Sequence, residues 1–202
     1  MPDSVWKQTD LESLVLADNG LTELSDQIAR LTSLRMLDLG HNQLAHVPDA
    51  LGALAALSDF LYLHDNRLGG LPDSLGRLTR LRYLNISENR FESLPDCVTR
   101  MVSLIELRVS DNRLAELPES IARLTRLREL HLRNNQLTTL PESIGALAEL
   151  RQIDLRSNPI TTLPESIARL PRLDKLDLRW VSTFPLPAWI ASLEDRGCAV
   201  YY

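Results

Sequence analysis

The sequence predicts an α/β solenoid: a right-handed arc with a concave parallel β-sheet and short helices on its convex side. Three observations predict it. Leucines open eight in-register units at Leu11, Leu34, Leu57, Leu81, Leu104, Leu127, Leu150 and Leu173, spaced 23 residues apart except for one 24-residue unit from Leu57. Each unit begins with alternating apolar and polar residues and continues with apolar residues every three to four positions. Seven of the eight place asparagine at the same point: Asn19, Asn42, Asn66, Asn89, Asn112, Asn135 and Asn158. An internal period of this length is the mark of a repeat architecture.

The first element of each unit is a strand. In "LRELHL" the alternation has period two, as expected of a short ribbon with one face buried. The second is a helical segment: "LPESIARL" spaces its apolar residues at three to four and opens on a proline, expected at the first helical position. One strand and one or two helical turns cannot enclose a core alone, but stacked copies cover one another's leucines. Successive strands then run parallel through right-handed crossovers. Strands pack about 4.8 Å apart and helices about 10 Å apart, so the stack bends with the strands on its inside.

The asparagine follows the strand, where the chain turns sharply inward and leaves backbone groups without sheet partners. Leaving such groups buried and unpaired costs about 1–3 kcal/mol each. An asparagine amide donates and accepts, so a column of them bridges the turns of successive repeats. In "LDLRWVSTFPLP" the eighth unit replaces it with Val181, read here as the point where the array ends and no successor needs bridging.

The shared frame, LxxLxLxxNxLxxLPxxIxxLxx, resembles the leucine-rich repeat family across residues 11–195. The resemblance implies the asparagine ladder and, in general terms, protein binding. The LPxxI variant is similar to intracellular repeats of plant and animal Ras-linked scaffolds and of bacterial effectors that join such repeats to a ubiquitin ligase. It therefore implies a signalling scaffold, an effector, or the substrate-recognition part of a ligase whose catalytic domain lies elsewhere. A rigid structural spacer is the alternative.

The expected organisation is one domain: an N-terminal cap over residues 1–10, eight repeats over 11–195 and a capping strand over 196–202. Terminal repeats expose their core and need such lids. Trp6 suits the front one, and "CAVYY" beyond Gly197 the back. With 202 residues, 44% hydrophobic, the chain has material for one sizeable core. Its net charge of −5 argues against a nucleic-acid partner. No apolar stretch suits a membrane span or a signal peptide, so no membrane partner is expected. Cys97 and Cys198 form no cysteine cluster and lie about four strand spacings, roughly 19 Å, apart in the stack, too far for a disulfide. A monomer in a reducing cytoplasm is expected.

Candidate function lies on the outward positions of the strands. Units two to four carry Met36 and Asp38, then Phe60, Tyr62 and His64, then Tyr83 and Asn85. Aromatic residues gathered on a concave face resemble an interface hot spot, although they also stabilise strands when nothing binds. Units five to eight carry Arg108, His131 and a column of Arg133, Arg156 and Arg179, with Trp180 at its edge. The column either receives an acidic partner segment or is neutralised by Glu129, Asp154 and Asp177. Trp180 serves either binding or capping. On the convex side, acids from Asp26 to Glu165 precede arginines such as Arg77 by four residues, reading as a solvated face of i, i+4 pairs. Cys97 falls on that side, away from the histidines, so no Cys–His nucleophile is expected. Asp38, His41 and His64 lack the ligand spacing typical of zinc, and neither metal nor cofactor is expected. No phosphate loop or nucleophile elbow occurs, so no enzymatic activity is expected.

Overall fold

The computed structural model describes residues 3–181 and 185–202; Met1 and Pro2, where the predicted N-terminal cap begins, lie outside the described residues. Each unit contributes one three-residue strand. These are β1 (Ser13–Val15), β2 (Met36–Asp38), β3 (Phe60–Tyr62), β4 (Tyr83–Asn85), β5 (Glu106–Arg108), β6 (Glu129–His131), β7 (Gln152–Asp154) and β8 (Lys175–Asp177). A further strand, β9 (Ala199–Tyr201), follows the repeats. All nine pair in sequence order and in parallel. The register advances by one repeat at each step, so Phe60 sits beside Met36 and Tyr83 beside Phe60.

The alternation works as the sequence suggests. The central residue of each strand from Leu37 to Leu176 points inward and is fully buried, and its two neighbours face outward. These central residues join Leu34, Leu39, Leu44, Leu51 and their counterparts in one continuous core along the stack. The 24-residue unit absorbs its extra residue between buried Leu57 and β3, at Ser58–Asp59.

The convex segments are mostly five-residue 3₁₀-helices, such as Asp73–Arg77 and Glu119–Arg123; one is a four-residue α-helix, α1 (Asp96–Thr99). The prolines take the N-cap rather than the first helical position: Pro72 is extended (φ −66°, ψ 147°) and its carbonyl accepts from Leu75 N–H at 3.1 Å. The following acid thus becomes the first helical residue, where its charge complements the helix dipole. In the first repeat Ser25 replaces proline and caps through its hydroxyl, which accepts from Gln27 N–H at 3.2 Å.

The predicted i, i+4 ion pairs do not form. In the four 3₁₀ segments that carry such an acid and arginine there are three residues per turn, so positions i and i+4 point in different directions. At the α-helical one, Arg100 is taken by Asp73 rather than Asp96. Asp73 instead meets Arg100 of the next repeat at 2.6 Å, and Glu149 pairs with Arg172 in the same inter-repeat fashion.

The ladder is present, but it runs opposite to the expected direction. Asn66 Oδ1 accepts from Leu44 N–H at 2.9 Å, and its Nδ2 donates to Leu39 O of the preceding repeat at 2.9 Å and to Leu63 O and His64 O of its own. Each asparagine therefore completes the turn before it. The repeat with nothing to serve is the first: Asn19 Nδ2 donates only locally, to Ala17 O at 2.7 Å. Absence of a successor consequently does not explain Val181. Its side chain instead packs, partly buried, against the core.

Just ahead of each ladder position the chain adopts φ between 48° and 59°, at Asp18, His41, Asp65, Glu88, Asp111, Asn134, Ser157 and Trp180. The eighth turn thus keeps the repeat's backbone without its asparagine. At the ends, Trp6 is 2% exposed over the first unit. The helix α2 (Ile190–Asp195) is followed by Gly197 at φ 88°, which turns the chain into β9 alongside β8.

Candidate partner-binding face

Because each strand turns its first and third residues outward, equivalent positions of adjacent repeats form columns on the concave face. Phe60, Tyr62 and Tyr83 meet there. Ring centroids lie 5.9 Å apart for the stacked Phe60–Tyr62 pair, 5.4 Å for Phe60–Tyr83 and 5.1 Å for Tyr62–Tyr83. Phe60 is 43% exposed; Tyr62 and Tyr83 are half-buried against each other, and Met36, in register with Phe60, is half-buried as well. Burial is the main cause that pushes the Tyr83 hydroxyl up to about 12, and it also raises Tyr62. Both phenols therefore stay neutral at physiological pH and offer O–H donors.

An open cleft of ≈ 220 Å³ borders this cluster, lined by Phe60, Tyr83, Asp59, Arg82, Ile105 and Glu106. It adjoins the extra residue of the third repeat. Asp59 is held by Arg35 of the preceding repeat at 3.2 Å. Asn85 Oδ1 accepts from Ser87 N–H at 3.0 Å, and Asp38 Oδ1 from Gly40 N–H at 2.8 Å, fixing both side chains beside the rings.

At the strand exits, His41 Nδ1 lies 2.7 Å from Asp65 Oδ2, and its Nε2 lies 3.2 Å from His64 Nε2. The hydrogen bond to Asp65 is the main cause raising the His41 pKa. His64 packs edge-on to Tyr62 at 6.0 Å and covers Gly40, where a Cβ would fall 2.4 Å from its Cε1. A side chain at position 40 would have to displace the His64 imidazole from this packing.

The second half of the face differs. Arg108 Nε bonds Glu106 at 2.5 Å, and Arg133 reaches Asp111 at 3.1 Å. Arg156 grips Asp154 through Nε and Nη2 at 2.9 and 2.6 Å; Arg179 grips Asp177 at 2.9 and 2.7 Å. Asp154 and Asp177 are 3% and 0% exposed, so these are bidentate clamps on buried carboxylates. Burial works to raise the Asp177 pKa, but hydrogen bonds from Arg179 and the charges of Arg179 and Arg156 hold it below its ordinary value. The arginine column is thus neutralised from within. His131 lies 3.2 Å from Glu129 and 3.6 Å from Glu106, and these three are the one group of potential metal ligands that converges among the described residues. Arg108 already occupies Glu106, and Asp38 does not join the two histidines of the first half in such a group.

Trp180 is 70% exposed and lies under Arg179, 5.6 Å from its guanidinium carbon. It extends the concave rim and buries no core. The sequence reading missed Tyr201, which stands beside Asp177 in β9 and receives Arg179 and Lys175 over its ring at 5.3 and 5.6 Å. Its signal was the alternation of Ala199, Val200 and Tyr201 continuing the period of the repeats. The His41–Asp65 pair was missed because the positive-φ position preceding each asparagine was not recognised as part of the face.

Comparison with known proteins agrees with this geometry. Residues 9–68 and 59–114 match the family model described as leucine rich repeat, and residues 121–195 match that of a leucine-rich repeat region. The chain belongs to the leucine-rich repeat family. Among solved structures, this leucine-rich repeat chain is similar to a leucine-rich repeat protein of Leptospira interrogans (27% identity, TM-score 0.81, covering 100% of this chain and 57% of that one). It is also similar to a TDR receptor (29% identity, TM-score 0.78, 87% and 32% covered). An internalin of Listeria monocytogenes shares the fold at 20% identity and a TM-score of 0.75, over 96% of this chain and 61% of that one. The chain therefore spans less than two thirds of each.

Leucine-rich repeats commonly mediate protein–protein interaction and are typically non-catalytic. Cys97 is buried, its thiol pushed up to about 11 mainly by that burial, and so it stays protonated at neutral pH. Among the described residues no helix is long and apolar enough to cross a membrane.

Proposed function

We propose that this leucine-rich repeat protein is a non-catalytic recognition module that holds a partner protein in its concave arc. The observation that carries the reading is the packed trio of Phe60, Tyr62 and Tyr83 on the open side of the sheet, directly above the buried leucines. The core has no use for these rings, and aromatic side chains at the centre of a curved surface supply binding energy at low entropic cost. Met36, Asp38, His64 and Asn85 complete the contact zone, and the paired arginines Arg108, Arg133, Arg156 and Arg179, with His131 and Trp180, form its more polar extension. The partner is a protein rather than a nucleic acid or a membrane, since the chain carries net charge −5. The free, buried thiols of Cys97 and Cys198 suit a reducing cytoplasm, in keeping with a monomeric scaffold or effector.

Affinity capture with the wild type and with Phe60, Tyr62 and Tyr83 all changed to alanine tests this. A partner retained by the wild type and lost by a folded triple variant is expected. A partner held equally by both removes the aromatic site, and a chain that captures nothing is better described as a structural spacer.

A further inference from the structure

The reading of the concave face as a binding surface leaves its occupant's chemistry open, and the distribution of charge around the aromatic trio narrows it. Resting on that reading, we infer that the occupant is a protein segment in which a basic side chain sits next to an aromatic or aliphatic one.

The apolar half of the match comes from the rings. Phe60, Tyr62 and Tyr83 touch one another, with centroids 5.1–5.9 Å apart, which leaves no gap in which a cation is enclosed on several sides. What they offer is a continuous apolar platform, with the adjoining cleft at Phe60 and Tyr83 as a socket for one side chain.

The basic half comes from the strand exits. Asp38 lies in register with Tyr62, so its carboxylate stands beside that ring and, after burial, does most to raise the phenol's pKa. Asp18 and Glu88 are exposed at the same edge of repeats one and four. Among the described residues none of these three carboxylates forms an ion pair with arginine or lysine. The cations nearest the rings are already engaged: His41 bonds Asp65, and Arg108, 6.0 Å over the Tyr83 ring, is bound to Glu106.

The other half of the face shows the contrast. Its arginines are each matched to a carboxylate: Arg108 to Glu106, Arg133 to Asp111, Arg156 to Asp154 and Arg179 to Asp177. An acidic ligand would have to break those clamps and leave carboxylates buried without partners, as at Asp177. A basic residue approaching Asp38 and Glu88 breaks nothing. Charge complementarity at the aromatic end therefore selects a cation.

The test is selection of short random peptides, displayed on phage, against the intact wild-type chain. Enrichment of lysine or arginine adjacent to leucine, phenylalanine or tryptophan is expected. A peptide so selected should bind about tenfold more weakly to Asp38→Asn/Glu88→Gln, with a shallower dependence on salt. The same peptide should be lost on the Phe60, Tyr62, Tyr83 triple alanine variant, whose fold is checked by its unfolding transition. Peptides that are neutral or acidic but still need the three rings overturn this inference and leave the binding face intact. Peptides that bind the triple variant unchanged overturn the binding face itself. Absence of any enrichment overturns the inference for a linear segment, and the capture experiment then decides the face independently.

Discussion

Asn112 donates from Nδ2 to the carbonyl oxygen of Ile86, 3.0 Å away and one repeat earlier in the chain. Asn112 Oδ1 accepts from Phe91 N–H at 3.0 Å, so one side chain satisfies two main-chain groups of its neighbour and, through Val109 O and Ser110 O, two of its own. Asn112→Ala leaves the N–H of fully buried Phe91 without its acceptor, and urea unfolding should show a loss of about 2–4 kcal/mol. Asn19→Ala, which breaks a single exposed local bond, should cost about 1 kcal/mol or less. Equal losses would remove the cross-repeat role.

The two faces of β3 predict opposite costs for adjacent residues. Leu61 is fully buried, so Leu61→Ala should cost about 2–5 kcal/mol in chemical unfolding. Phe60 is 43% exposed and loses mainly its ring contacts, so Phe60→Ala should cost about 1 kcal/mol.

Asp177 predicts an acid limb. Its folded pKa is depressed, so its contribution is fully present above the unfolded value of about 3.9 and is lost as pH falls through the lower folded value. Asp177→Asn should cost about 2 kcal/mol at neutral pH and flatten the decline of stability in acid, measured by unfolding across that range.

His41 predicts the reverse sign. Its pKa is raised first of all by Asp65, so its contribution is complete below the unfolded value of about 6.5 and is lost as pH rises through the folded one. An NMR titration should place the His41 midpoint above that of an unfolded chain, and Asp65→Asn should lower it. An unmoved midpoint would show that the hydrogen bond is absent in solution.

The positive-φ column predicts a stabilising change. Ser157 holds φ 56° and bonds Arg179 O through its N–H at 3.2 Å, a bond glycine keeps. Ser157→Gly should raise stability by about 0.5–1 kcal/mol, since only the side chain opposes that conformation.

The sequence made the repeat legible because each leucine and asparagine recurs at fixed spacing, and a solenoid needs little beyond that spacing to define its register. It also placed Phe60, Tyr62 and Tyr83 together, since alternation assigns a face and the period assigns neighbours. What it did not carry was partner choice. Arg133 had carboxylates available on several strands, and Asp111, the one it meets, sits in the preceding turn rather than on the sheet face. The convex ion pairs failed for a related reason: an acid four residues before an arginine looks the same in sequence whether the turn holds 3.6 residues or three, and only the tighter turn sends Asp73 toward Arg100. The ladder's direction was hidden too, because a column of identical asparagines reads alike from either end.

That direction has a consequence for how the protein is made. During synthesis a repeat leaves the ribosome before the asparagine that completes its turn, so the growing stack always trails the nascent chain by one unit. Cutting the array from its front removes turns but leaves every remaining unit the amide that completes it. Cutting it from the back strips an amide from the unit that remains, and the damage is inherited by residues that were never deleted.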